Sequence, residues 1–212
     1  MEQRSKKSKQ VDFIDYNVIG HGGYGCVFEI GSEEQVGKMN FGNEAMFTEH
    51  GITLGEFMKI QADIFSIDPS EQYFITTTNV VKMQATDPRI LHCLKIEEDQ
   101  SKTRSNKPER KQEYDVFIQT RVSPALDINE WNYEQVNHAI NGLNLLHSRG
   151  FIHGDVQKNN FGFKNGLPVY IDMDSATHAN YPRVRSNRGT FFLDLNETAQ
   201  KDFNQLKDAF RR

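Results

Sequence analysis

The sequence predicts an α+β fold of two lobes, a β-rich N-terminal lobe followed by a helical C-terminal lobe. In the first half, short apolar segments are separated by glycines, as in antiparallel strands. A long amphipathic helix opens the second half. With 212 residues, the chain is long enough to bury a core in one domain or in two small lobes that share a cleft.

Composition and charge narrow the class of protein. The 37% hydrophobic and 11% aromatic content argues against intrinsic disorder. No apolar run approaches the roughly 18 residues that a membrane span requires. The net charge of -4 provides no global positive field, which disfavours nucleic acids and anionic membranes as partners.

The cysteine count and the N-terminus predict an intracellular, cytoplasmic protein. Cys26 and Cys93 are too few for a disulfide scaffold or a four-ligand zinc site, so free thiols are expected. The basic residues near the N-terminus are not followed by the apolar segment of a secretory signal peptide. Residues 1–12 are therefore predicted to form a disordered tail.

The two lobes are predicted at residues 13–122 and 123–212, with a connector near 121–126. In the first lobe, the predicted elements are strands at 18–19, 27–30 and 35–39, a helix at 51–65, strands at 74–78 and 91–96, a basic loop at 99–112 and a strand at 114–120. The apolar face of the helix at 51–65 is expected to contain Phe57, Ile60, Ala62 and Ile64. In the second lobe, they are a helix at 129–150, an irregular loop at 151–163 that ends in a short strand, a strand at 167–172 and a helix at 198–210.

A glycine cluster at residues 20–27 fits the pattern G-x-G-x-x-G-x-V. A dinucleotide-binding loop would be followed by a helix, whereas residues 26–30 are rich in β-branched and aromatic side chains and predict a strand. A glycine-rich hairpin instead lets backbone N–H groups approach a triphosphate without a Cβ in the way. The cluster therefore favours a phosphate-binding hairpin over a site for NAD or FAD.

A second motif lies in residues 142–172. A helix that ends in the pattern L-x-x-L-H-x-x-G is followed by H-x-D-x-x-x-x-N, which spans His153, Asp155 and Asn160, and then by a strand that ends at Asp172. In this order, and with the glycine cluster before it, the chain resembles the protein kinase superfamily. The resemblance implies a bilobal protein-kinase-like fold.

The resemblance also implies roles for individual residues. Asp155 would be the base that meets a substrate hydroxyl, and Asn160 and Asp172 would supply the oxygen ligands of Mg²⁺. Lys38 would hold the phosphates of ATP and would be oriented by Glu56 on the following helix. The residues implied in nucleotide binding are Gly20, Gly22, Gly23, Tyr24, Gly25, Val27, Lys38, Gln119 and Arg121.

Three positions depart from the usual kinase pattern. Gln157 stands where most protein kinases have a lysine, so the transition-state charge would be less well neutralised. Gly154 replaces the usual arginine, which removes the common receiver of a phosphorylated activation loop. Asp174 replaces a glycine and would either add a metal ligand or repel the phosphates.

The expected activity is transfer of the ATP γ-phosphoryl group to a Ser or Thr hydroxyl of a protein. Two alternatives stay open. A pseudokinase that acts as a binding module is favoured by Gln157 and Asp174. A small-molecule kinase of the aminoglycoside or sugar type is favoured by the His-Gly-Asp sequence at residues 153–155 and by the Ile-Asp-Met-Asp run at residues 171–174.

The C-terminal residues carry two further expectations. Residues 188–190 and 201–206 are similar to the activation-segment end and the next helix of casein kinase 1-like and vaccinia-related kinases, in which Asp202 would accept N–H bonds from the catalytic loop. The small size and the missing tail most resemble kinases of large DNA viruses and, next, bacterial effector kinases. The helices that normally follow are absent from the sequence. An exposed apolar patch that docks a protein partner or a second copy is therefore expected at Phe203, Leu206, Phe210 and residues 191–193.

Overall fold

The computed structural model describes residues 18–22, 25–41, 52–100, 110–124, 127–179, 183–185, 189–191 and 195–210. The tail predicted at residues 1–12 and most of the basic loop predicted at 99–112 lie outside these ranges. Within them, antiparallel strands dominate the N-terminal part, and two long helices frame the C-terminal part. The predicted α+β class is confirmed.

A five-stranded antiparallel sheet forms the N-terminal part, in the order β1-β2-β3-β5-β4. Its strands are β1 (Val18–Gly22), β2 (Gly25–Ile30), β3 (Ser32–Asn40), β4 (Thr77–Gln84) and β5 (Glu113–Thr120). The described residues of the glycine cluster lie on β1 and β2, which pair with each other as the predicted hairpin requires. In the register of β2 with β3, Val27 is paired with Lys38, which places their side chains on the same face of the sheet.

Helix α1 (Leu54–Ile67) covers that face of the sheet and confirms the helix expected at 51–65. Its residues Phe57, Ile60 and Ile64 are buried, and the ring of Phe57 meets that of Phe117 on β5 edge to face at 5.6 Å. Ala62, predicted for the apolar face, is exposed. The preceding residue, Gln61, is buried in its place.

Helix α2 (Pro88–Gln100) occupies the segment for which a strand at 91–96 was predicted, and that prediction is wrong. Its buried residues Ile90, Cys93, Leu94 and Glu97 recur at the spacing of a helix rather than at the alternation of a strand. The helix packs on the opposite face of the sheet from α1. There Cys93 forms a disulfide with Cys26 of β2, so the expectation of free thiols is also wrong.

The strand predicted at 74–78 is displaced toward the C-terminus, because β4 begins at Thr77. The segment before it joins the two parts of the molecule. Ile75 donates its N–H to the carbonyl of Tyr170 at 2.8 Å, and Tyr170 donates to the carbonyl of Tyr73 at 2.7 Å. This short parallel contact fixes the N-terminal sheet against the strand that leads to Asp172.

The C-terminal part is built on helix α3 (Tyr133–Ser148), which confirms the helix predicted at 129–150 and buries Leu143 and Leu146. Its small strands are β6 (Ser123–Pro124), β7 (Phe151–Ile152), β8 (Phe161–Lys164), β9 (Leu167–Tyr170), β10 (Thr177–His178), β11 (Arg183–Arg185) and β12 (Gly189–Phe191). Helix α4 (Leu195–Ala209) confirms the predicted terminal helix. None of the helices in the described ranges combines the length and hydropathy needed to cross a bilayer.

The apolar side of α4 is covered rather than exposed. Leu206 is buried, and the half-buried ring of Phe203 packs against His147 at 5.1 Å between centroids. The ring of Phe210 meets Trp131 at 5.5 Å. The predicted exposed patch is therefore wrong for Phe203, Leu206 and Phe210, and residues 192 and 193 lie outside the described ranges.

Candidate active site

The loop after β7 is held by a buried carboxylate. Asp202 of α4 accepts the N–H of His153 at 2.8 Å and the N–H of Gly154 at 2.9 Å, one with each oxygen. The Nε2 atom of His147 lies 2.9 Å from the same carboxylate. The expected anchoring of the loop by Asp202 is confirmed, and it fixes the backbone immediately before Asp155.

Gly154 explains why this loop has no arginine at its second position. Its φ angle is +82°, and a Cβ built on it would lie 2.9 Å from the carbonyl oxygen of Ser175. A side chain would be strained by the backbone angle and would also meet that backbone atom. The glycine therefore lets the loop that bears Asp155 lie directly against the turn that follows Asp172.

The Asp155 carboxylate is oriented by two amides. Gln157 Nε2 donates to its Oδ1 at 2.6 Å, and Asn160 Nδ2 donates to its Oδ2 at 2.9 Å. Asn160 Nδ2 also donates to the backbone oxygen of Asp155 at 2.9 Å. These bonds use the nitrogen end of the Asn160 amide, so its Oδ1 is the end suited to a metal ion.

Lys38 of β3 reaches across to the turn after β9. Its Nζ lies 2.8 Å from Asp172 Oδ1 and 2.7 Å from Asp174 Oδ2. Burial opposes the charge on the lysine, but the two carboxylates outweigh it and raise the pKa of Lys38 above its ordinary range. Burial also opposes ionisation of Asp172, yet the adjacent Lys38 charge lowers the pKa of that carboxyl. For Asp174, burial prevails and raises the pKa.

Glu56 does not orient Lys38, and the predicted pair is wrong. The exposed Glu56 carboxylate accepts the Thr53 N–H at 2.7 Å and the Thr53 hydroxyl at 2.9 Å. These bonds close a capping box at the start of α1 and lower the pKa of Glu56. The sequence contained the signal, because Thr53 and Glu56 have the T-x-x-E spacing of a capping box.

The glycine hairpin lies beside Lys38. Gly20 is paired with Val27, and Val27 with Lys38, so the three share the sheet face that α1 also covers. A Cβ at Gly25 would lie 2.7 Å from the backbone oxygen of Met39, which makes glycine necessary for the close approach of β2 to β3. Gly22 ends β1, and Gly23 and Tyr24 lie outside the described residues.

Gln119 and Arg121 have partners within the protein. The buried Gln119 amide donates to Thr77 Oγ1 at 3.2 Å. Arg121 donates from its guanidinium to Glu29 at 2.7 Å and from its backbone N–H to the Glu34 carbonyl at 2.8 Å. These contacts tie the end of β5 to its neighbours, and the nucleotide contacts at both residues stay predictions.

Gln61 was not identified from the sequence as a site residue. Its Nε2 donates to the Met173 carbonyl at 3.0 Å, and its Oε1 accepts the Thr77 N–H at 3.0 Å. Fully buried, it connects α1, β4 and the turn between Asp172 and Asp174. A polar residue flanked by Ile60 and Ile64 on a predicted helix was the available signal.

The donor set fits a magnesium nucleotide. The Asn160 amide oxygen and the Asp172 carboxylate are the hard oxygen ligands that Mg²⁺ prefers. Lys38 is the cation beside Asp172. Among the described residues, no group of three or more His, Cys, Asp or Glu side chains could hold a metal ion. A cation bound here would therefore take its remaining ligands from water and phosphate.

The antiparallel N-terminal sheet with its glycine hairpin and the loop anchored by Asp202 agree with the bilobal arrangement that the kinase resemblance predicts. Among solved structures, the chain is similar to the kinase PK-1 of Cydia pomonella granulovirus, with 13% identity over 91% of this chain and 69% of that one and a TM-score of 0.46. It is also similar to a Legionella pneumophila kinase bound to IP6, with 14% identity over 92% of this chain and 56% of that one and a TM-score of 0.46.

No protein family model matches the sequence. No curated protein matches it significantly.

Proposed function

We propose that this chain is an ATP-dependent protein kinase that phosphorylates Ser or Thr hydroxyls, with Mg²⁺ as its metal. One observation supports this above all others. Lys38 meets Asp172 at 2.8 Å across 134 residues of sequence. The loop that presents Asp155 and Asn160 lies against the same turn. A phosphate-binding cation, metal-binding oxygens and a base are the parts that phosphoryl transfer requires.

Each residue of the site then has a task in the reaction. Asp155 accepts the proton of the substrate hydroxyl, with its carboxylate held by Gln157 and Asn160. Lys38 binds phosphate oxygens, and Asn160 and Asp172 would hold the metal. A bound Mg²⁺ would neutralise part of the negative charge on the phosphates. Rate acceleration comes from positioning and electrostatics, because Asp202 fixes the loop backbone in advance.

The test is the substitution Asp155→Asn, with Asp115→Asn on strand β5 as the matched control. Asp115 is bound to the exposed Lys82 at 3.1 Å and lies outside the site. We expect Asp155→Asn to lower transfer of labelled γ-phosphate to a generic basic protein by at least about 100-fold. The thermal shift produced by ATP and Mg²⁺ should be retained. Equal transfer by the Asp155→Asn and Asp115→Asn variants would refute the role of Asp155.

A second candidate is a pseudokinase that binds other proteins without phosphoryl transfer. It is favoured by the position of Lys38, because Asp172 and Asp174 already neutralise the cation that phosphates would need. The discriminating measurement is a thermal-shift titration with ATP and Mg²⁺, since a ligand at 100 times its Kd adds about 2.7 kcal/mol of stability. Absence of any shift would support this candidate. Label that appears only on an aminoglycoside or sugar would identify a small-molecule kinase.

A further inference from the structure

Lys38 is bound by two carboxylates of one turn and by none from helix α1. The turn is a single 3-10 segment, Met173–Ser175, that directly follows Asp172. The Lys38 ammonium lies at nearly equal distances from Asp172, at 2.8 Å, and from Asp174, at 2.7 Å. The site therefore contains one more carboxylate than metal binding at Asp172 requires.

The two carboxylates differ in exposure. The Asp172 side chain is 35% exposed, whereas that of Asp174 is 10% exposed. Asp172 is thus the one accessible to a metal ion. Asp174 faces the protein, and its carboxylate also accepts a hydrogen bond from the side chain of Asn40.

Asp174 is therefore docked on strand β3. Lys38 and Asn40 are two residues apart on that strand, so their side chains leave the same face of the sheet. A carboxylate that binds both side chains fixes the turn against the strand as well as the lysine against the turn. The turn that carries Asp174 adopts no left-handed backbone. In the described part of the chain, Glu71 and Asn165 are the only non-glycine residues with positive φ.

The turn is also held from its other side. The Gln61 amide donates to the carbonyl of Met173, the residue between the two aspartates. Gly154 lies against Ser175, the residue after Asp174, since a Cβ on Gly154 would lie 2.9 Å from the Ser175 carbonyl oxygen. Asp174 therefore projects from a segment whose position is determined by three separate elements of the fold.

We propose that Asp174 is the positioning residue for Lys38, in the role that the kinase resemblance gives to Glu56. This inference rests on the proposed function. Glu56 is exposed and bound to Thr53, so it is not available to the lysine. When Asp172 binds a metal ion, Asp174 still balances the charge of Lys38 and holds its ammonium toward the phosphates.

The first test compares Asp174→Asn with Glu56→Gln, two substitutions that remove one charge and keep the size. We expect Asp174→Asn to raise the KM for ATP and to lower kcat/KM by at least about tenfold. Glu56→Gln should stay within about twofold of the wild type. The inference is overturned if Glu56→Gln loses as much as Asp174→Asn, or if Asp174→Asn stays within twofold of the wild type.

The second test needs no turnover and so separates this inference from the proposed function. Melting temperatures are measured for Lys38→Met, Asp174→Asn and the double variant, and for the matched set with Glu56→Gln. We expect the losses at Lys38 and Asp174 to be clearly non-additive, and those at Lys38 and Glu56 to add. An inactive wild type with the non-additive result would refute the kinase proposal and retain the pairing. Additive losses at Lys38 and Asp174 would overturn the pairing itself.

Discussion

Breaking the disulfide between Cys26 and Cys93 should destabilise the N-terminal sheet. The bond joins β2, directly after the glycine hairpin, to the middle of α2, and both cysteines are fully buried. It closes a chain segment with a sequence separation of 67 residues. In the unfolded state, this link removes conformations that the reduced chain can visit.

The expected size of the effect follows from that separation. For a loop of 67 residues, the chain-entropy relation gives a stabilisation of about 4 kcal/mol at 25 °C. For a chain of this length, about 4 kcal/mol corresponds to a melting temperature lower by roughly 10 °C. The Cys26→Ala/Cys93→Ala variant should show a loss of at least this size, because two buried sulfur atoms are removed as well.

Thermal unfolding is then followed by circular dichroism with and without a phosphine reductant, for the wild type and for the double alanine variant. Alkylation under denaturing conditions and mass spectrometry report the thiol content of each sample. The wild type should lose stability on reduction, whereas the variant should not respond. If fully reduced wild type melts at the same temperature as the oxidised protein, the disulfide does not stabilise this fold.

Three further outcomes are expected. Gln61→Met should lower the free energy of unfolding in urea by roughly 3 kcal/mol, because the buried Thr77 N–H and Met173 carbonyl lose their partner. A loss below about 0.5 kcal/mol would contradict this. Asp202→Asn should lower the free energy of unfolding by about 3 kcal/mol, because the two loop N–H groups bind different carboxylate oxygens and asparagine replaces one of these oxygens with an NH₂ donor. Unchanged urea unfolding would argue against the anchor. Burial lowers the pKa of His153 below its ordinary 6.5, so the unfolded chain binds the proton more readily and stability should fall as the pH drops below about 6.5. His153→Asn should flatten the change in melting temperature between about pH 7.5 and 5.5, and an equal slope in both proteins would refute this.

The predictable part of the fold is the part in which local pattern and long-range packing agree. The hairpin over the glycine cluster follows from glycine placement, and helix α3 follows from apolar residues that recur at helical spacing. The anchoring aspartate, Asp202, was also identified, because its sequence context matched a known pattern. These features can be predicted without knowing which other segments of the chain they pack against.

Helix α2 could not be predicted in this way, because its structure depends on the segment against which it packs. A short apolar run at residues 91–96 fits either a strand or one face of a helix, and periodicity over six residues cannot separate the two. The choice is made by packing on the sheet, because in a helix Ile90, Cys93 and Leu94 lie on one side and are buried together against the sheet face opposite α1. The disulfide was missed with it, since Cys26 and Cys93 become neighbours only when α2 lies on that face.

The misassignment of Glu56 has a different physical origin. The sequence placed a glutamate on the helix after Lys38, but local and long-range partners compete for the same carboxylate. Thr53 is three residues away and supplies two donors to it, so that interaction requires no long-range folding and little loss of entropy. Lys38 has no carboxylate partner on the helix, and Asp174 balances its charge instead. Asp174 stands at the position where the usual kinase pattern has a glycine. The aspartate at position 174 and the absence of a bond between Glu56 and Lys38 therefore have one explanation. A lysine that is largely buried needs a carboxylate partner, and in this fold the turn supplies it instead of the helix.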